Sequence, residues 1–163
     1  MCIRDSAAAG FVRADLRESD AALWDRVLAL NLRSFALLAR EMERQRGTRG
    51  GDLIAIADAA ALELWPGYLA HSVAKAGLLA LVKALAKGLA PAYRVNAIVP
   101  GPVLLPEDTP EAEAEQIRRR TLLERLGSPV DVARAVAYLA GASFSTGAVV
   151  HVTGGSELWR GRT

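Results

Sequence analysis

Cysteine is almost absent from this chain: Cys2 is the only one in 163 residues. That excludes an internal disulfide framework and fits a reducing compartment, so a cytoplasmic location is expected. Histidine is nearly as scarce. His71 and His151, with one terminal cysteine, cannot supply a metal set at ligand spacing. No apolar run approaches the ~18 residues needed to span a bilayer. No basic segment followed by a long apolar one opens the chain either. A net charge of +2 is too small to argue for nucleic acid. The run Arg118-Arg119-Arg120 follows Glu107, Asp108, Glu111, Glu113 and Glu115, so it reads as a solvated helix face. Neither a nucleic acid nor a membrane is an expected partner. Also missing is a glycine-rich turn between a strand and a helix, so no phosphate-cradling loop can be pointed to.

What is present fits one α/β domain. Hydrophobic residues make up 52% and charged ones 23%, enough apolar content for a real core. Of the 20 basic residues only three are lysines, Lys75, Lys83 and Lys87. Where any positive charge suffices the chain uses arginine, so a retained lysine marks a place for a compact, titratable ammonium. That reading suits Lys75; Lys83 and Lys87 read equally well as solvated surface.

Residues 1–10 show no usable periodicity and read as an irregular, non-native start. A long amphipathic helix is expected over 20–46, with Leu23, Val27, Leu30, Phe35, Leu38 and Met42 on its apolar side. Ser19 or Asp20 can cap it, and Gly47 lies just beyond its basic end. A short apolar strand, 53–57, stops at Asp58. A loop through Trp65-Pro66-Gly67 leads to a second helix over 69–88, and a second strand, 93–99, breaks at Pro100-Gly101-Pro102. Helices near 110–123 and 129–141 precede a last strand over 148–152. Three buried strands alternating with helices mean a parallel sheet covered on both faces. Only one half of a doubly wound sheet is visible, which points to a chain incomplete at its N-terminus.

The chemistry-bearing residues fall at one end of that sheet. Strand, helix, strand reads as a right-handed crossover, and ligands bind beyond the carboxyl ends of such strands. Asp58, the start of the helix bearing His71 and Lys75, and the Pro100-Gly101 loop should therefore face one crevice. His71 and Lys75, four apart, share a helix face. An acid, an imidazole and an amine converging there suggest proton transfer.

These residues resemble the short-chain dehydrogenase/reductase family over about 140 residues. Asn31, within Trp24-Asp25-Arg26-Val27-Leu28-Ala29-Leu30-Asn31-Leu32, matches the family's helix asparagine. Lys75 matches the lysine of its Tyr-x-x-x-Lys motif, with His71 at the tyrosine position. The segment Arg94 to Val103 resembles the one that embraces the nicotinamide. Arg125-Leu126-Gly127-Ser128-Pro129-Val130-Asp131-Val132-Ala133, Thr146-Gly147 and Thr153-Gly154-Gly155 match the closing signatures. Asp58, where the family usually has a serine, together with Pro100-Gly101-Pro102-Val103-Leu104-Leu105-Pro106-Glu107, resembles the pteridine reductase branch.

The resemblance implies the C-terminal part of a Rossmann-type domain over 11–163, lacking its glycine-rich dinucleotide-binding half. It implies hydride transfer between NADP(H), or NAD(H), and a pterin-like or carbonyl small molecule, impaired in a chain without that half. Lys75, Pro100, Gly101 and Val103 would hold the cofactor. Asn31 would prop a relay water, and Asp58 would orient the substrate. His71 either stands in for the proton-donating tyrosine or is a polar residue at a helix start that has lost the chemistry. Tyr68, one turn earlier, is a phenol that could substitute for the missing tyrosine, but its offset on the helix points it elsewhere. The family's dimer pairs helices such as 20–46 and 69–88, so a homo-oligomer is expected through them. The rival class is a non-catalytic α/β module that has kept only this helix-mediated dimerisation.

Overall fold

A computed structural model describes residues 3–6 and 10–159. Strands β2 (Gly51–Ile56), β3 (Tyr93–Pro100) and β4 (Val149–Val152) lie where apolar runs predict them. They join a fourth, β1 (Ile3–Ser6), in one parallel sheet ordered β1-β2-β3-β4. The irregular start expected over 1–10 thus contains an edge strand, with Ile3 beside Asp52 and Ser6 beside Ala55. Three strands become four. Four residues with no alternating pattern are recognisable as a strand only once β2 supplies their hydrogen-bonding partner.

Side-chain alternation along β2 and β3 sorts the core into two layers. Leu53, Ala55, Val95, Ala97 and Val99 face helices α2 (Ser34–Arg46) and α4 (Leu69–Leu89), packing against Phe35, Met42, Leu78 and Val82. Ile54 and Ile98 face the other way, onto Ala135 and Leu139 of α6 (Pro129–Gly141). The remaining helices are α1 (Ala21–Leu28), α3 (Ala60–Glu63) and α5 (Glu111–Arg119). Capping follows the sequence: Asp20 Oδ1 accepts from Leu23 N at 2.7 Å, and Asp131 accepts from Ser128 N at 2.9 Å with Pro129 opening α6.

The single helix expected over 20–46 is interrupted. Between α1 and α2 the backbone makes a π-helical turn, Ala29–Arg33, with Asn31 at its centre. Such turns occur mostly as local bulges and frequently at functional sites. The asparagine amide competes with the helix: its Nδ2 donates to Val27 O at 3.1 Å and to Gly10 O at 3.2 Å.

By length and composition alone α4 could cross a membrane, with a mean hydropathy of 1.4 over 18 residues. That corrects the expectation that no apolar run is long enough. The helix carries buried His71, Ser72 and Lys75, and its apolar side covers the sheet, which is the pattern of a core helix.

The amino end of β3 is structural. Arg94 pairs with its register neighbour Asp52 at 2.6 Å. Its guanidinium also donates to the carbonyls of Leu139, Ala140 and Ala142 at the end of α6. Asn96, 2% exposed, is satisfied by Ser145 O and Ala148 N at 2.9 and 3.0 Å. This half of the segment resembling the nicotinamide strand therefore ties helix to sheet, and only its carboxyl end reaches the crevice.

Candidate active site

Where β2 ends, the chain turns sharply into α3, and Asp58 sits in that turn. Its Oδ1 accepts from Ala60 N at 2.9 Å, which fixes the carboxyl at the carboxyl edge of the sheet. The neighbouring loop is tied in by Ala59 N donating to Pro100 O at 3.0 Å. Gly101 follows, donating to Val152 O at 3.0 Å. A Cβ at Gly101 would lie 2.7 Å from Thr153 Cα, so close approach of the two loops requires a glycine there. Gly127 N donates to Pro102 O at 3.0 Å and abuts Val103. Pro100 and Gly101 thus lie at the carboxyl end beside the Asp58 turn, clamped by the end of β4, whereas Val103 lies further along the loop, against Gly127 and on the wall of a different cleft.

Helix α4 brings His71 and Lys75 to the same edge. His71 Nε2 lies 2.6 Å from Asp58 Oδ2, and its Nδ1 lies 3.2 Å from Gly10 O. Lys75 Nζ donates to Ile56 O, the last carbonyl of β2, at 3.1 Å. Lys75 is 4% exposed. Burial pushes its amine below the ordinary lysine value, against the opposing pull of the Asp58 carboxylate. The ammonium has three hydrogens, of which one has a described acceptor, so it can still serve hydroxyl groups.

Asn31 reaches the same carbonyl as His71. Gly10 O accepts from both side chains, so one backbone oxygen links the π-turn to α4. The Oδ1 of Asn31 is buried without a hydrogen-bond partner. A buried acceptor in that state calls for a water or ligand donor.

The structure therefore gathers all four expected side chains, Asn31, Asp58, His71 and Lys75, on one crevice edge. It also adds what the sequence did not single out. Gly10 contributes a carbonyl, which no side-chain motif can announce. Phe11, 56% exposed, stacks on Tyr68 at 4.2 Å between ring centroids and sets its edge on His71 at 4.9 Å. Trp65 completes this shelf, 6.3 Å from Phe11. Tyr68 is thus engaged as a stacking partner beneath Phe11. A separate cleft of about 470 Å³ opens beyond Pro102 and Val103, near Arg125, His151 and Thr153, and none of the four site side chains lines it.

A model of the family described as enoyl-(acyl carrier protein) reductase matches residues 4–157. The chain is 34% identical to 2-(S)-hydroxypropyl-CoM dehydrogenase 3 of Xanthobacter autotrophicus, over 94% of this chain and 64% of that protein. It is 37% identical to human dehydrogenase/reductase SDR family member 4, over 82% of this chain and 51% of that one. In three dimensions it is similar to FolM alternative dihydrofolate reductase 1 from Brucella suis, solved in complex with NADP. That match has a TM-score of 0.91 and 29% identity, covering 99% of this chain and 65% of that one. A ligand-free aldohexose dehydrogenase from Thermoplasma acidophilum, 22% identical with a TM-score of 0.90, shares the fold. The chain spans between about half and two-thirds of the length of these relatives.

Proposed function

The chain belongs to the short-chain dehydrogenase/reductase family, and from that membership we propose that it forms the nicotinamide and substrate side of an NADP(H)-dependent reductase acting on a pterin-like or carbonyl compound. One observation carries the reading: a buried, depressed amine at Lys75 lies one helical turn from a His71–Asp58 pair at the carboxyl edge of a parallel sheet.

The residues fit the nicotinamide ribose. Lys75 keeps ammonium hydrogens for ribose hydroxyls, and the loop through Pro100, Gly101 and Val103 leaves the same end of the sheet. The unpartnered Asn31 Oδ1 offers the acceptor that a relay water behind the lysine requires. When bound, the nicotinamide supplies hydride. Protein groups do the rest: Asp58 orients the substrate, and the His71–Asp58 pair delivers a proton to the atom that becomes anionic. The pterin-like choice is supported by Asp58 itself, by the stacked rings of Phe11 and Tyr68, with Trp65 set edge-on to them, next to His71, and by the similarity to FolM alternative dihydrofolate reductase 1 from Brucella suis. Oxidation of NADPH by the chain, followed with a dihydropterin and with a simple ketone, tests this. Substrate-dependent oxidation that favours the dihydropterin and is lost in Lys75→Ala is expected. No substrate-dependent oxidation at millimolar cofactor would overturn it.

Self-association is part of the proposal. Leu30, Leu37 and Val73, on the segments 20–46 and 69–88, are 40, 53 and 44% exposed, an apolar surface that a second copy would cover. This surface also suits the rival reading of a non-catalytic dimerising module. Light scattering at high micromolar concentration should show a dimer, and a clean monomer would contradict it.

A further inference from the structure

We propose that His71 and Asp58 act as one acid holding a single proton between Nε2 and Oδ2, with the carboxyl as its outer face and the imidazole as a buried positioning residue. Its chemical purpose rests on the reductase reading above; its geometry does not.

Gly10 fixes the tautomer of the ring. A backbone carbonyl can only accept, so Nδ1, 3.2 Å from Gly10 O, carries a hydrogen. In a neutral ring Nε2 would then hold only a lone pair. An ionised Asp58 likewise presents only lone pairs. At 2.6 Å two bare lone pairs repel, whereas a charge-assisted hydrogen bond has this length. One proton must therefore lie in the contact. Imidazolium with carboxylate, and imidazole with carboxylic acid, differ only in which atom that proton is nearer.

Asn31 enforces the arrangement from outside the pair. Its Nδ2 donates to the same Gly10 oxygen at 3.2 Å, holding that carbonyl against the ring. The π-turn that displaces Asn31 from regular helix thus sets the orientation of an imidazole on another element. This gives Asn31 a positioning role besides its free Oδ1.

Exposure then decides which group meets the substrate. The His71 side chain is 1% exposed and that of Asp58 26%. The ring is further covered by the edge of Phe11. Only the carboxyl can touch a ligand. The other titratable groups around the pair are Lys75, on the same helix face and acting on Asp58, and Tyr68, which meets the ring through Phe11. On the packed helix α1, Asp25 and Arg26 are exposed to solvent.

The step balances. As a substrate carbon receives hydride, the oxygen or nitrogen bonded to it becomes anionic and takes the proton from Asp58 Oδ2. The ring is left neutral with Nδ1–H still on Gly10 O, and the carboxylate is left ionised. Solvent restores the proton through the exposed side of Asp58.

Nuclear magnetic resonance of the full chain with ¹⁵N-labelled histidine, at neutral pH, tests the placement. His71 should show hydrogen at both ring nitrogens, with a slowly exchanging downfield proton correlated with Nε2. Asp58→Asn should remove the Nε2 proton and keep the one on Nδ1. His151, the other histidine, serves as internal contrast. A His71 Nε2 with no proton in the parent chain, or a signal unchanged in Asp58→Asn, would overturn the proposal. The kinetic arm uses His71→Gln, which still offers a donor to Oδ2 but has no acid proton to release. NADPH-dependent turnover should fall about 10²-fold or more with KM little changed, the usual share of general acid catalysis. Unchanged turnover would remove the ring from the acid. A chain with the resonance but no turnover would sink the reductase reading while the shared proton stood.

Discussion

A double-mutant cycle on Asp58 and His71 should reveal a coupling of about 1–2 kcal/mol in folding stability. A charge-assisted hydrogen bond contributes about 1.5–3 kcal/mol and a neutral one about 0.5–1.5 kcal/mol. The Nε2–Oδ2 contact is of the first kind, but the Asp58 side chain is 26% exposed, so water recovers part of the loss. His71→Leu keeps most of the buried volume while deleting both ring bonds, one to Asp58 and one to Gly10 O. Its total cost should be about 2–3 kcal/mol. For a domain of this size that lowers Tm by about 4–12 °C. Asp58→Ala loses the same contact together with the bond to Ala60 N. Urea unfolding of the parent, both single variants and the double variant gives the coupling directly, provided the four m values agree. A coupling below about 0.5 kcal/mol is the scatter of independent sites. That result would refute the claim that the two side chains share a proton-bearing bond.

Three further outcomes follow from other parts of the structure. Burial lowers the Lys75 amine, so between its folded value and the ordinary 10.5 the unfolded chain binds more protons and stability rises with pH. Lys75→Met should flatten that rise: its stability relative to the parent is most favourable at neutral pH and declines as pH approaches 10.5, and parallel urea-midpoint curves would contradict this. Gly101→Ala places a Cβ 2.7 Å from Thr153 Cα, where backbone must shift, and should cost about 1–3 kcal/mol in urea unfolding; a neutral effect would mean the two loops are not clamped. Arg94→Met leaves the Asp52 carboxylate, 9% exposed in its side chain, without its partner, and should cost about 3–5 kcal/mol in urea unfolding; a loss under about 1 kcal/mol would contradict the structural role given to this pair.

The sequence carried the fold where hydrophobic pattern and punctuation agreed. The helix expected over 129–141 is found as Pro129–Gly141, because a capping serine and a proline mark one end and a glycine the other. The strand 53–57 and the helix 69–88 are found within a few residues, as Gly51–Ile56 and Leu69–Leu89. Two elements were illegible for physical reasons. Strand β1 has no pattern of its own and exists through pairing with β2. The break at Ala29–Arg33 lies in a periodic apolar sequence, and only the contact of Asn31 with Gly10, 21 residues away in the chain, explains why the helix yields there. In the site, side-chain chemistry announced Asp58, His71 and Lys75. Spacing placed His71 and Lys75 on one face but could not show that the ring turns inward, away from solvent and onto Asp58. A carbonyl such as that of Gly10 leaves no trace in sequence at all.

If Lys75 holds a nicotinamide ribose, reduced nicotinamide mononucleotide should be recognised by this chain through that lysine. That probe keeps the nicotinamide ribose and lacks the adenosine half, so it needs no glycine-rich turn for a pyrophosphate. Titrated into the chain and followed by ligand-observed magnetic resonance, it should bind in the millimolar range and at least about tenfold more weakly to Lys75→Ala, the loss expected when charged hydrogen bonds of about 1.5–3 kcal/mol are removed. Equal binding to both chains, or none to either, would contradict the account.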